Sequence, residues 1–106
     1  MLYRHKNHSV CKFLNRYLVV SGGVGQKRVE YLDTAKEYFN STVQPWQPLG
    51  ELADQRNGHA SVGTTSSIFI FFGFNTRSTR ALGSIEEKDM RGLERNECQL
   101  RPWTKI

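Results

Sequence analysis

Three residues near the start of the chain, His5, His8 and Cys11, fall at i, i+3 and i+6. On a helix that spacing gathers them toward one face, and imidazole with thiolate is a donor set for copper or zinc. The surrounding charge works against such a site. Residues 1–28 hold six cations, Arg4, Lys6, Lys12, Arg16, Lys27 and Arg28, and no acid, whereas residues 29–106 hold nine cations and ten acids. A field of that sign repels a metal ion, so neither metal nor cofactor is expected. It attracts polyanions, and Tyr3, Phe13 and Tyr17 are interleaved with the cations as stacking groups would be. No nucleic-acid reading motif accompanies them, which leaves a weak polyanion contact as a minor reading.

Two carboxylate pairs invite an acid–base reading. Glu30 and Asp33 follow Val29, and Glu86 and Asp89 follow Ile85. The same triplet at the same internal spacing points to a repeated structural position, because a catalytic pair has no reason to occur twice. No phosphate loop, GxSxG or HExxH motif is present, and an enzyme is not expected. Two further pairs, Lys27 with Arg28 and Arg77 with Arg80, sit in polar loops just beyond glycines. Arginine recognises carboxylates through two parallel hydrogen bonds, so these four residues are the candidates for binding an acidic protein segment.

The elements that must position these residues read as strands. YLVVSGG (17–23) and IFIFFGF (68–74) are β-branched and aromatic runs that stop at glycine. Val29–Leu32 and Ala60–Val62 are short strand candidates, and Ala81–Ile85 is a weaker one. Gly63–Ser67 reads as a turn. TAKEYFN (34–40) can form a helical turn, and the charged stretch 88–99 suits a helix or a loop. Residues 1–12 read as a basic leader with the start of a first unit, 13–57 as the remainder of that unit, and 58–106 as a second.

The two units align over nearly the whole chain. With Gly22 set on Gly73, His8 and His59 each lie 14 residues earlier. Glu30 and Asp33 correspond to Glu86 and Asp89, and Trp46 to Trp103. One insertion, in NTRSTRALGS, accounts for the change of offset, and a loop absorbs it cheaply. A period near 50 residues with these landmarks resembles the kelch repeat. The first copy matches at Gly22, Gly23, Val29, Glu30, Asp33, Trp46, Leu49, Arg56 and His59, and the second at Gly73, Ile85, Glu86, Asp89, Trp103 and Ile106. In the second copy Phe74 stands where the second glycine is expected.

The resemblance implies an all-β fold of two kelch-type antiparallel β-sheet blades, an incomplete β-propeller. YLVVSGG and IFIFFGF become inner strands covered on both faces, and each Trp fills the wedge between blades. A closed ring needs about 4–8 blades, so further blades are expected from a longer chain or from self-assembly. The resemblance also implies a non-catalytic protein–protein interaction module, of the type that recruits substrates to a ubiquitin ligase as an adaptor. The alternatives it carries are an actin-binding protein and a kelch-like enzyme of copper oxidase or sugar isomerase type. MLYRHKNHSV lacks the apolar stretch of a secretory signal, and the two cysteines form no CxxC. Reduced thiols, a cytoplasmic setting and no membrane contact are therefore expected.

Overall fold

Strand formation follows the β-branched and aromatic runs. The computed structural model describes residues 6–36, 45–95, 97–99 and 101–106. Strands β1 (Ser9–Phe13), β2 (Tyr17–Ser21), β3 (Arg28–Asp33) and β4 (Trp46–Glu51) form one antiparallel sheet in the order β1-β2-β3-β4. Strands β5 (Ala60–Gly63), β6 (Ser67–Phe71), β9 (Ile85–Asp89) and β10 (Thr104–Lys105) form a second, in the order β10-β9-β6-β5. A small hairpin, β7 (Phe74–Asn75) with β8 (Arg80–Ala81), projects from the β6–β9 connection. A 3-10 turn, Leu93–Arg95, is the one helical element among the described residues. The fold is all-β: two four-stranded antiparallel sheets, consistent with two blades of an incomplete propeller, and no closed barrel among the described residues.

The runs expected to be inner strands are inner: β2 lies between β1 and β3, and β6 between β5 and β9. Alternate residues of the first sheet, Phe13, Tyr17, Val19, Val29, Tyr31 and Leu49, share one core with Ile68, Ile70, Met90, Leu93 and Trp103. Each aliphatic side chain removed from water there contributes about 1.5–3 kcal/mol. The rings of Tyr17 and Tyr31 meet edge to face, with centroids 6.0 Å apart. Trp103 fills the wedge between the sheets, and its indole Nε1 donates to the Leu49 carbonyl at 2.9 Å. Trp46 is half-buried.

Several expectations are corrected. Residues 9–12 of the segment read as a basic leader with the start of a first unit belong to β1, which pairs with β2 along its length. The weak strand placed at Ala81–Ile85 instead begins at Ile85 and runs to Asp89. Within the stretch 88–99, read as a helix or a loop, Leu93–Arg95 form a 3-10 turn, and β10 follows at Thr104–Lys105. The helical turn expected at 34–40 lies mostly outside the described residues.

The alignment of the copies also shifts by one. Val20 pairs with Glu30, and Ile70 pairs with Glu86. With the two glutamates matched, Gly22 corresponds to Phe72 and Gly23 to Gly73. The backbone agrees: φ is 64° at Gly22 and 57° at Phe72, and 118° at Gly23 and 95° at Gly73. Phe74 is not a substituted glycine; it pairs with Ala81 in the hairpin. The missing residue lies in the tighter turn between β5 and β6. A phenylalanine in the left-handed region is strained by roughly 1–2 kcal/mol.

Candidate partner-binding loops at the glycine end

The antiparallel paths bring the β2–β3 loop and the β6–β9 connection to the same end of the two sheets. Ser9 Oγ and Ser61 Oγ, 2.6 Å apart, lock β1 beside β5 there. The segment Arg56–His59, which leads into β5, then runs between the glycine turns of both sheets. Gly23 N–H donates to the Arg56 carbonyl at 2.8 Å, and Gly58 N–H to the Asn7 carbonyl at 2.9 Å. A Cβ on Gly22 would stand 2.5 Å from the Arg56 carbonyl oxygen, and one on Gly73 2.7 Å from that of Asn57. Both turns need glycine for close approach as well as for φ.

Arg56 is fully buried. Its Nη1 donates to the carbonyls of Phe72 and Ser84 at 2.8 and 3.0 Å, and its Nη2 to Ser84 Oγ and Glu86 Oε2, each at 2.8 Å. Glu86, also fully buried, accepts the backbone N–H of Ala53 at 2.5 Å. This carboxylate is therefore a buried anchor, and Glu30 occupies the matching buried position in the first sheet. Asp33 holds Arg16 through two hydrogen bonds of 2.9 and 2.8 Å, which keeps the Asp33 carboxyl below its ordinary range. Asp89 likewise grips Arg91, whose bonds pull Asp89 down to about 2. All four acids of the repeated pairs lie in strands β3 and β9.

His59 joins the two sheets. Its Nε2 and Ser21 Oγ are hydrogen-bonded at 2.9 Å. Burial and then the Arg56 guanidinium pull its pKa down to about 4, so the ring is neutral at pH 7. His59 Nδ1 and Arg56 Nε have no hydrogen-bond partner among the described residues. His8 precedes β1 on an exposed stretch, and Cys11 is half-buried within β1 with its thiol pushed up by burial. His5 lies outside the described residues. No group of three or more His, Cys, Asp or Glu could hold a metal ion among the described residues. Cys11 and Cys98 are both free thiols.

The four candidate cations lie at this glycine end. Lys27 is exposed, and its carbonyl accepts Leu52 N–H at 2.7 Å; Arg28 opens β3 opposite Glu51. Arg77 and Arg80 are exposed on the β7–β8 hairpin. The insertion seen in the sequence is this hairpin. Asn57 fastens it: the backbones of Asn57 and Phe74 exchange two hydrogen bonds of 2.9 Å, and Asn57 Nδ2 donates to Thr76 Oγ1 at 2.9 Å. A cleft of about 450 Å³ opens beside it, lined by Asp54, Asn75, Ser78, Arg80, Ser84 and Lys105 among others. Lys105 Nζ pairs with Asp54 at 2.7 Å. Sequence reasoning found Arg80 but missed Asp54, Ser84 and Lys105, which come from three distant parts of the chain.

A second cleft, about 400 Å³, lies at the opposite end of the sheets. Phe13, Tyr17, Met90 and Leu93 form its apolar lining, and Arg91 and Arg95 stand beside them. Both arginines are already in ion pairs, with Asp89 and Glu97. Sequence reasoning did not locate it.

No protein-family description matches the sequence. No curated protein matches it either. Among solved structures, YjhT superimposes on 100% of this chain with a TM-score of 0.73 at 15% identity. The chain spans 28% of the length of YjhT. At that identity the likeness is one of fold. No helix of the described residues is long and apolar enough to cross a membrane.

Proposed function

We propose that this chain is a pair of kelch-type blades acting as a non-catalytic protein–protein interaction module, with an acidic protein segment as the partner of its glycine-end loops. The observation that carries the reading is the convergence of both basic loops at one end, where the Asn57-fastened hairpin presents Arg77 and Arg80 beside a cleft. The matched pairs, Glu30 with Glu86 and Trp46 with Trp103, support the repeat. In a longer protein such a module would serve as the substrate-recognition part of a ubiquitin-ligase adaptor, in a cytoplasmic setting.

The test is binding of a fluorescein-labelled peptide rich in glutamate, followed by anisotropy at low and physiological salt. Charge-assisted hydrogen bonds are worth about 1.5–3 kcal/mol each, so R77E/R80E should weaken binding more than tenfold. K12E, in β1 away from the hairpin, should leave it nearly unchanged. Equal binding by R77E/R80E and the parent chain would remove the hairpin from the site.

A further inference from the structure

The cleft at the end of the sheets away from the glycine turns belongs to neither basic loop. The β1–β2 turn gives it Phe13, Leu14 and Tyr17, and the segment following β9 gives it Met90 and Leu93. All of these but Leu14 are at most 5% exposed and belong to the core that the two sheets share. The cleft therefore opens onto the core, and its volume of about 400 Å³ falls in the range of small-molecule sites. The rings of Phe13 and Tyr17, with centroids 6.4 Å apart and planes 31° from parallel, offer a surface on which a flat apolar body can stack. The charged residues of the lining are Arg91 and Arg95, and no carboxylate lines the cleft among the described residues. Asp89 and Glu97, which pair with these arginines, are not part of the lining. The pairs use Nε and Nη2 of Arg91 and Nε of Arg95, which leaves further N–H groups on both. With the two arginine side chains 77% and 75% exposed, such pairs are weak. A ligand carboxylate can therefore share both guanidiniums.

Leu14, at the same cleft, is strained. Arg16 N–H donates to the Phe13 carbonyl at 3.1 Å and closes a turn whose two central residues, Leu14 and Asn15, both have φ 52°. A hairpin turn with two left-handed residues prefers asparagine, aspartate or glycine at both. Asn15 fits that preference, whereas a leucine in the left-handed region carries steric strain. Leu14 is also 54% exposed, so burial on folding returns little for the strain. Backbone strain of this kind collects at ligand sites. We propose that this cleft binds a small aromatic carboxylate, its ring held between Leu14 and the Phe13–Tyr17 pair and its carboxylate on Arg91 and Arg95. The strained leucine then has a purpose, which is to cover the apolar body of the ligand.

The test is titration of the full chain with 2-naphthoate, followed by amide proton–nitrogen NMR. Shifts should saturate with a Kd of about 1 mM or tighter and centre on Leu14, Gly92 and Leu93. The neutral 2-naphthamide, with the same ring, should bind about fivefold more weakly, since it lacks the charge-assisted bonds to exposed arginines. R91Q/R95Q should bind acid and amide alike. Leu14→Asn should raise the thermal midpoint, because asparagine tolerates the left-handed backbone, and should weaken naphthoate binding severalfold. A leucine that only shaped the turn would give the first effect without the second. V62E, on the open face of the second sheet, should leave binding unchanged. Shifts that centre on Val62 and Phe71, or that fail to saturate by about 10 mM, would overturn the site. So would equal binding of acid and amide by the parent chain, or a Leu14→Asn variant that binds as the parent does. A parent chain without dispersed amide signals would overturn the cleft itself.

Discussion

Replacing Arg56 by Met should remove a large share of the stability of the fold. The guanidinium is fully buried and makes four hydrogen bonds within 3.0 Å, three to backbone or hydroxyl oxygens and one to the buried Glu86 carboxylate. Methionine fills much of the volume and satisfies none of them. Removing one partner of a buried ion pair leaves the other charged and uncompensated, which costs about 3–5 kcal/mol. Glu86 keeps its bond from Ala53 N–H, which favours the lower part of that range. Domains of this size hold about 5–15 kcal/mol in total, so Arg56→Met should lie near the edge of folding. Urea unfolding read by tryptophan fluorescence measures this, since Trp103 lies in the wedge beside the core. The companion variant R56M/E86L removes both charges and should recover part of the loss, because an apolar pair leaves no orphaned carboxylate. A single variant within 1 kcal/mol of the parent, or a double variant no better than the single one, would refute the idea that the pair holds the second sheet to its glycine turn.

Stability should fall with acid through His59. Its folded pKa of about 4 lies below the ordinary 6.5, so the unfolded chain takes the proton first; the contribution is complete above pH 6.5 and is lost as pH falls toward 4. The full span is roughly 3 kcal/mol, and His59→Gln should flatten that part of the urea-midpoint profile. Gly22→Ala should destabilise by more than 2 kcal/mol, because left-handed strain adds to a backbone clash, while Gly25→Ala, at φ 73° with nothing within 4 Å, should cost only about 1 kcal/mol; equal losses in thermal denaturation would contradict the inter-sheet contact. Trp103→Phe strips the Leu49 carbonyl of its donor and should cost about 1–3 kcal/mol beyond the lost area, read by chemical denaturation. Asn57→Ala should weaken binding of the acidic peptide severalfold while moving the urea midpoint little, since it loosens the hairpin rather than the core.

The inner strands were legible because each is an unbroken β-branched and aromatic run ending at glycine, although β6 is covered fully on one face only, with Phe69 and Phe71 half-buried on the other. Trp103 was legible too, as a large side chain at a repeated position. The register of the second copy was not. A glycine looks the same whether it is the first or second of a pair, and only the φ of Phe72 shows that the first has been replaced. β1 was hidden because SVCKF alternates weakly and sits among cations, so charge pattern outweighed strand pattern. Of the candidate site, the four cations could be read from loops after glycine. The cleft could not, since Asp54, Ser84 and Lys105 are brought together by the crossing of segment 52–59 over the end of β9.

That crossing segment explains why the buried polar groups and the exposed loops belong to one design. Arg56–His59 receives the first glycine turn through its backbone, anchors the second sheet through the Arg56 side chain, and fastens the hairpin through Asn57. The acids on which the sequence first suggested catalysis are occupied in this scaffold, Glu86 beneath Arg56 and Asp33 against Arg16. The Glu86 carboxylate is committed to the buried Arg56 guanidinium and the Ala53 N–H, and that of Asp33 to the half-exposed Arg16 guanidinium. Arg77 and Arg80 stand outward at the glycine end, on a hairpin fastened by Asn57 of the same segment. The proposed recognition of an acidic segment at this end would depend on the same contact between the two sheets that sets the hairpin.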